Sequence, residues 1–233
     1  MSSPPLSRRV PGSRPELDQP VSWGEGRDMN PLEALMWRAE ADPRLRSTIV
    51  VVELLDSTPD WDRFLAAHDW ATRLIPRFRM KVVEPLMGLG RPAWTVDRDF
   101  DLRYHVRRTR LPVPGTLADL LEVAEQIAMV PFDRHRPPWE VVLVDGLSEE
   151  GAAAFILKLH HSTTDGVGAT QLLAMLHSRT REPAADKPEP LSPPPDPQGS
   201  LGTLARQVSS DVVALQRLGR ATVGRSLGEL RRP

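Results

Sequence analysis

Apolar and polar positions alternate between two periods along this chain, and the switches between them mark out its elements. Residues 48–55 (TIVVVELL) are β-branched and apolar throughout, the composition of a buried strand. Asp60 stands ready to cap a helix over 61–75, with Phe64, Leu65, His68 and Thr72 at helical spacing. Residues 79–84 and 104–109 read as strands. Thr116 caps a helix over 116–129 whose Leu117, Leu120, Leu121, Ala124, Ile127 and Ala128 form one face. Strands follow at 139–144 and 153–160. A helix at 166–179 then turns Val167, Leu172, Leu173 and Leu176 inward. Strands interleaved with helices predict an α/β chain, in the form of a layered α+β sandwich.

Outside 28–182 the pattern changes. In residues 1–27, Pro4, Pro5, Pro11, Gly12, Pro15 and Pro20 break any period, and the segment reads as a flexible lead. Residues 183–200 carry seven prolines and read as a stiff, solvated linker. Residues 201–233 read as one long amphipathic helix. Leu201, Leu204, Val208, Val212, Leu215, Leu218, Val223, Leu227 and Leu230 recur every three to five positions. That segment sets six arginines against Asp211 and Glu229. Its stripe must be covered, either by protein or by a lipid surface of the kind basic amphipathic helices favour.

Composition narrows the classes. The 233 residues allow one or two domains, and 40% apolar content excludes wholesale disorder. A net charge of −1 argues against a nucleic-acid partner. The absence of cysteine excludes thiol nucleophiles and thiolate metal sites. No run approaches a membrane span, and the first residues lack a secretory core, so a cytoplasmic location is expected.

The densest chemistry is His160-His161-Ser162-Thr163-Thr164-Asp165-Gly166, where an apolar strand gives way to a helix. Adjacent strand residues point to opposite faces. One histidine should therefore enter the structure and the other a cleft, which argues against a metal held by both. No HExxH pattern or third clustered ligand supports a metal. A neutral imidazole takes a proton from a hydroxyl and hands it to a leaving group. Asp165 can brace the turn or cap the next helix, and Gly166 lets the backbone pass close to a neighbour. Trp139 reads as a core side chain or as support for the site. Glu140 reads as an ion-pair partner or as site support, and His105 as structural.

HHSTTDG resembles the HHxxxDG motif of CoA-dependent acyltransferases and peptide-synthetase condensation domains. NPLEALMWRAE (30–40), PAWTVDRDFDLRYHVRRTRLPVPG (92–115), PFDRHRPPWEVVLVDGL (131–147) and LKLHHSTTDGVGA (157–169) occur in matching order. Together they make residues 28–182 similar to the bacterial wax ester synthase/diacylglycerol acyltransferase family. Pro137-Pro138-Trp139-Glu140 departs from that family's PLWE by Pro138, and Glu33 stands where the family has aspartate.

The resemblance implies a chloramphenicol-acetyltransferase-like fold, of which this chain would be one half. It implies transfer of a long-chain acyl group from acyl-CoA, as co-substrate and without a separate cofactor, to diacylglycerol or a long-chain alcohol. His161 would be the general base, with His160 and Asp165 holding its geometry and Gly166, Trp139 and Glu140 in support. Arg134 and Arg136 are candidates for the CoA phosphates. Family members continue into a second half, so three expectations stand. A C-terminal half is supplied by another chain or by the intact gene product, or the chain is an inactive truncated remnant, or it is a non-catalytic module binding lipid or a partner. A condensation-type enzyme with carrier-bound substrates is the alternative within the superfamily. Peripheral contact with a membrane or lipid droplet would follow from the terminal helix.

Overall fold

The computed structural model describes residues 27–148, 152–164 and 199–229. The helix expected at 166–179, and with it Asp165 and Gly166, lies outside the described residues, as do residues 1–26 and 183–198 of the expected lead and linker.

Local chemistry starts each helix. Asn30 caps α1 (Pro31–Ala39): its side chain accepts from the Leu32 and Glu33 amides, while Glu33 reaches back to the Asn30 amide. Proline at the first helical position needs no donor there. Asp60 caps α2 (Trp61–Leu74) through the Arg63 amide. Thr116 and Asp119 form the reciprocal box that starts α4 (Leu117–Met129).

The main sheet contains β1 (Thr48–Leu55), β4 (Val106–Arg110), β5 (Trp139–Asp145) and β6 (Ala153–His160), in the order β1-β6-β5-β4. Strands β6 and β1 are antiparallel, as are β5 and β6, whereas β4 and β5 are parallel. Thr48 faces His160 and Glu140 faces Lys158. A two-stranded ribbon of β2 (Met80–Val83) and β3 (Ala93–Val96) lies apart from it. The expected strand at 104–109 starts later than its apolar pattern suggested. Asp101 caps a single helical turn, α3 (Leu102–His105), so pairing begins at Val106.

Alternation along the strands divides the core in two. Val142, Val144, Ala154 and Ile156 face Leu120 and Ala124 of α4. Trp139, Val141, Phe155, Leu157 and Leu159 face Leu65 of α2, together with Ile75 and Phe78. Deleting one of these buried side chains, as in Leu157→Ala, would cost about 2–5 kcal/mol. The α4 stripe is narrower than its sequence suggested: Leu117 and Leu121 are exposed, and Val123 and Ile127 complete the inward face. A third cluster joins Met29, Ala34 and Trp37 to Val82 and Trp94, seating α1 on the ribbon.

Residues Gly199–Glu229 form helix α5, so the last two residues of the expected linker are helical. α5 meets the rest of the chain through polar side chains. The Asp211 carboxylate accepts from the amides of Met87, Leu89 and Gly90, at 2.8, 3.0 and 3.1 Å. Gln207 donates to the Glu84 carbonyl and Ser210 accepts from the Arg91 amide. Leu204, Val208, Val212, Leu215 and Leu218 remain exposed. No described helix is long and apolar enough to cross a membrane.

Candidate active site

Strand β6 is buried along its whole length and ends at the histidine pair. Its neighbours hold that end from both sides. The His160 amide donates to the Pro138 carbonyl ahead of β5, at 3.0 Å, and the His161 amide donates to the Ser47 carbonyl ahead of β1, at 2.8 Å. Residues His161–Thr163 then turn through a short 3-10 helix.

The two imidazoles have opposite surroundings, one on the last residue of β6 and the other on the first residue of the turn. His160 is fully buried and His161 is exposed. Trp37 meets the His160 ring edge-on at a centroid distance of 5.3 Å, and Phe132 lies 6.1 Å away. Burial, with electrostatic contributions from His161 and Arg134 in the same direction, pushes the His160 pKa down to about 4. It is therefore neutral near pH 7. The Ser162 amide donates to His160 Nδ1 at 3.1 Å, and Ser162 Oγ lies 2.7 Å from the same nitrogen. Nδ1 acts as an acceptor, so the ring hydrogen is assigned to Nε2. Nε2 faces Glu40 Oε2 at 3.4 Å. The same carboxylate oxygen accepts from the Ser47 amide at 2.9 Å.

A buried arginine fixes the turn from below. Arg77 Nη1 donates to the Ser162 carbonyl at 2.8 Å and to Glu33 Oε1 at 2.9 Å, and its guanidinium lies 4.8 Å over the Trp94 ring. Glu33, Trp37 and Glu40 thus converge on the histidine turn, directly or through Arg77. Their spacing of four and three residues places them along one side of α1 and its C-cap. That spacing was present in the sequence and could have found Glu40. Arg77 carried no comparable signal.

The other expected residues divide by face. Glu140 lies on the same face of the sheet as Lys158 and His160, following the alternation from its register partner Lys158. It pairs with Arg107 and lies 3.8 Å from Lys158 Nζ. Lys158 is itself buried, donates to the Val130 carbonyl at 2.7 Å and sits over the Phe132 ring. Burial pulls its pKa down, against the pull of Glu140. Trp139 is on the opposite face. Its indole donates to the Phe78 carbonyl at 2.8 Å and stacks on His105 at 4.5 Å. His105 is buried, its pKa held near 4 by burial, and its Nδ1 lies 2.7 Å from the Trp139 carbonyl. These are core contacts. Arg134 packs over Trp37 and donates to its carbonyl, and Arg136 is tied to the Asp99 carbonyl and Tyr104. Ser162 Oγ, engaged with His160, is not free to donate elsewhere. Among the described residues no cluster of three His, Asp or Glu is arranged to hold a metal.

A mixed sheet with helices packed on its faces is a class of fold that this chain shares with condensation domains. The starter condensation domain of rhizomide synthetase shares it at a TM-score of 0.54 with 12% identity, over 64% of this chain and 37% of that one. Within that class, this chain belongs to the wax ester synthase/diacylglycerol acyltransferase family, whose catalytic domain matches residues 29–231. It is similar to the wax ester synthase/diacylglycerol acyltransferase of Marinobacter aquaeolei VT8, with a TM-score of 0.56 and 25% identity, over 84% of this chain and 46% of that one. It is 44% identical over 170 residues to Rv2484c of Mycobacterium tuberculosis, provisionally named a diacylglycerol O-acyltransferase, covering 73% of this chain and 33% of that protein. The chain thus spans between a third and a half of the length of these two relatives.

Proposed function

We propose that the chain takes part in acyl transfer from a long-chain acyl-CoA to the hydroxyl of diacylglycerol or a long-chain alcohol, with His161 as general base. One observation carries the assignment: of two adjacent imidazoles, one is locked inside with both nitrogens facing protein groups and the other is open to solvent at a strand end. Only the open one can meet a substrate hydroxyl. Membership of the family supplies the reaction class.

The chemistry then runs in one ternary complex. His161 takes the alcohol proton as the oxygen attacks the thioester carbonyl. The tetrahedral adduct collapses, the carbon–sulfur bond breaks, and the proton passes to the departing thiolate. One ester and one free CoA result, with no acyl-enzyme. His160, held by Ser162 and Glu40, keeps the turn in place. Asp165 and Gly166 are carried over from the motif as its brace, and Glu140 and Trp139 as support of the neighbouring strand. A chloramphenicol-acetyltransferase-like half of this kind would need a complementary half to close its substrate tunnel, and the exposed stripe of α5 offers a surface for that half or for lipid.

The test is thiol release from a long-chain acyl-CoA by the purified chain, with and without diacylglycerol or a long-chain alcohol. Acceptor-dependent release supports the reading. A folded chain that releases no thiol, alone or with a C-terminal half added in trans, overturns it.

A further inference from the structure

Glu40 closes α1 as its C-cap, and its carboxylate is buried 120 residues before the histidine it faces. Two of its contacts are fixed by geometry: Oε2 accepts the Ser47 amide and stands 3.4 Å from His160 Nε2. Neither His160 Nε2 nor Glu40 Oε1 has a hydrogen-bond partner among the described residues. His160 Nε2 has no other acceptor among the described residues, so the Glu40 carboxylate it faces is the group that can meet its hydrogen, and leaving that hydrogen unmatched is costly at low local dielectric. The 3.4 Å separation lies just beyond a standard hydrogen bond. The Ser47 amide holds the carboxylate in place from the other side, next to the Ser47 carbonyl that accepts the His161 amide. Glu40 is therefore linked to both histidines, to one ring directly and to the other backbone through Ser47.

We propose that Glu40 is a positioning residue. It holds His160 in the Nε2–H tautomer, which frees Nδ1 to accept from Ser162 and so pins the turn that presents His161. This rests on the acyl-transfer reading for its catalytic consequence but not for the tautomer itself.

Ring-nitrogen NMR of the full 233-residue chain reads the tautomer without any substrate. The wild type should show an unprotonated Nδ1 and a protonated Nε2 at His160. Glu40→Gln keeps an oxygen that accepts from both Nε2–H and the Ser47 amide, so it should keep that tautomer. Glu40→Ala should mix the tautomers at His160 and broaden the His161 ring signals. In the thiol-release assay Glu40→Ala should lower kcat about tenfold or more with little change in the KM for acyl-CoA, and Glu40→Gln should restore most of it. An Nδ1–H tautomer in the wild type overturns the proposal. So does a Glu40→Ala protein with unchanged His160 and His161 signals. Absence of turnover in the wild type counts against the functional reading alone, because the tautomer result is obtained independently.

Discussion

Arg77 donates to the carbonyl of Ser162 across 85 positions of sequence, and the same nitrogen donates to Glu33. The turn after the histidines is thereby tied to the first helix by a single buried cation. Replacing Arg77 by methionine would leave Glu33 Oε1 and the buried Ser162 carbonyl without this partner, although Glu33 Oε2 keeps the Asn30 amide. The expected loss is about 3 kcal/mol of stability, read as a lower urea midpoint. Arg77→Lys should recover part of it, since an ammonium can meet Glu33 but cannot stack on Trp94 as a plane.

His161 gives the cleanest functional variant. Its side chain is exposed, so His161→Ala should change stability by no more than about 0.5 kcal/mol. Acceptor-dependent thiol release should fall by about 10²–10⁴-fold if the imidazole is the general base. An unchanged melting curve with unchanged turnover would remove the assignment.

Acid should destabilise the fold in a defined window. His68, His105 and His160 are each pushed down to about 4 by burial, whereas an unfolded histidine titrates near 6.5. Between those values the unfolded chain binds more protons. The contribution of the neutral histidines is therefore present above about pH 6.5 and is lost as pH falls toward 4, by roughly 3 kcal/mol per histidine at the limit. Urea midpoints measured from pH 7 to pH 4.5 should decline with a slope of up to about three protons. His105→Gln should reduce that slope by about one.

The docking of α5 rests on small atoms. A Cβ at Gly90 would overlap Ser210 Oγ and come within 2.8 Å of the Ser210 carbonyl carbon. Three amides converge on Asp211, and they hold its pKa below the usual carboxylate range even though burial pushes the other way. Gly90→Ala and Asp211→Ala should each release the helix. Amide hydrogen exchange at Met87, Leu89 and Gly90 should accelerate in both variants, while exchange in β6 stays slow.

The sequence carried the long-period signals well. The 48–55 and 153–160 strands stand where their apolar runs placed them, and the caps at Asp60 and Thr116 start their helices. In each case local composition and tertiary burial agree. α1 was visible only as a motif, because it is short and much of it is exposed. The ribbon strand β3 has four residues, too few to show a period. The histidine pair was readable as the end of an apolar strand, but β6 stops at His160 and the 3-10 turn, not continued alternation, sets the direction of His161. Arg77 was not readable, since its partners are 44 and 85 positions away. The apolar stripe of α5 was legible as a stripe, yet the contacts it makes run through Gln207, Ser210 and Asp211, which no hydrophobic period marks.

The strand order has a consequence for how the protein is born. Among the described strands of the sheet β6 comes last in the chain, and it lies between β1 and β5. Until it emerges, β1 has no neighbour, and the apolar edge it presents must wait through about a hundred residues of synthesis. The step that inserts β6 closes the sheet by its most distant pairings, such as Thr48 with His160, which is the slow kind of closure. That same step delivers the histidines to their place. Nascent chains arrested before residue 153 should therefore be recognised by chaperones as unfinished, and the histidine turn forms only once β6 has paired between β1 and β5.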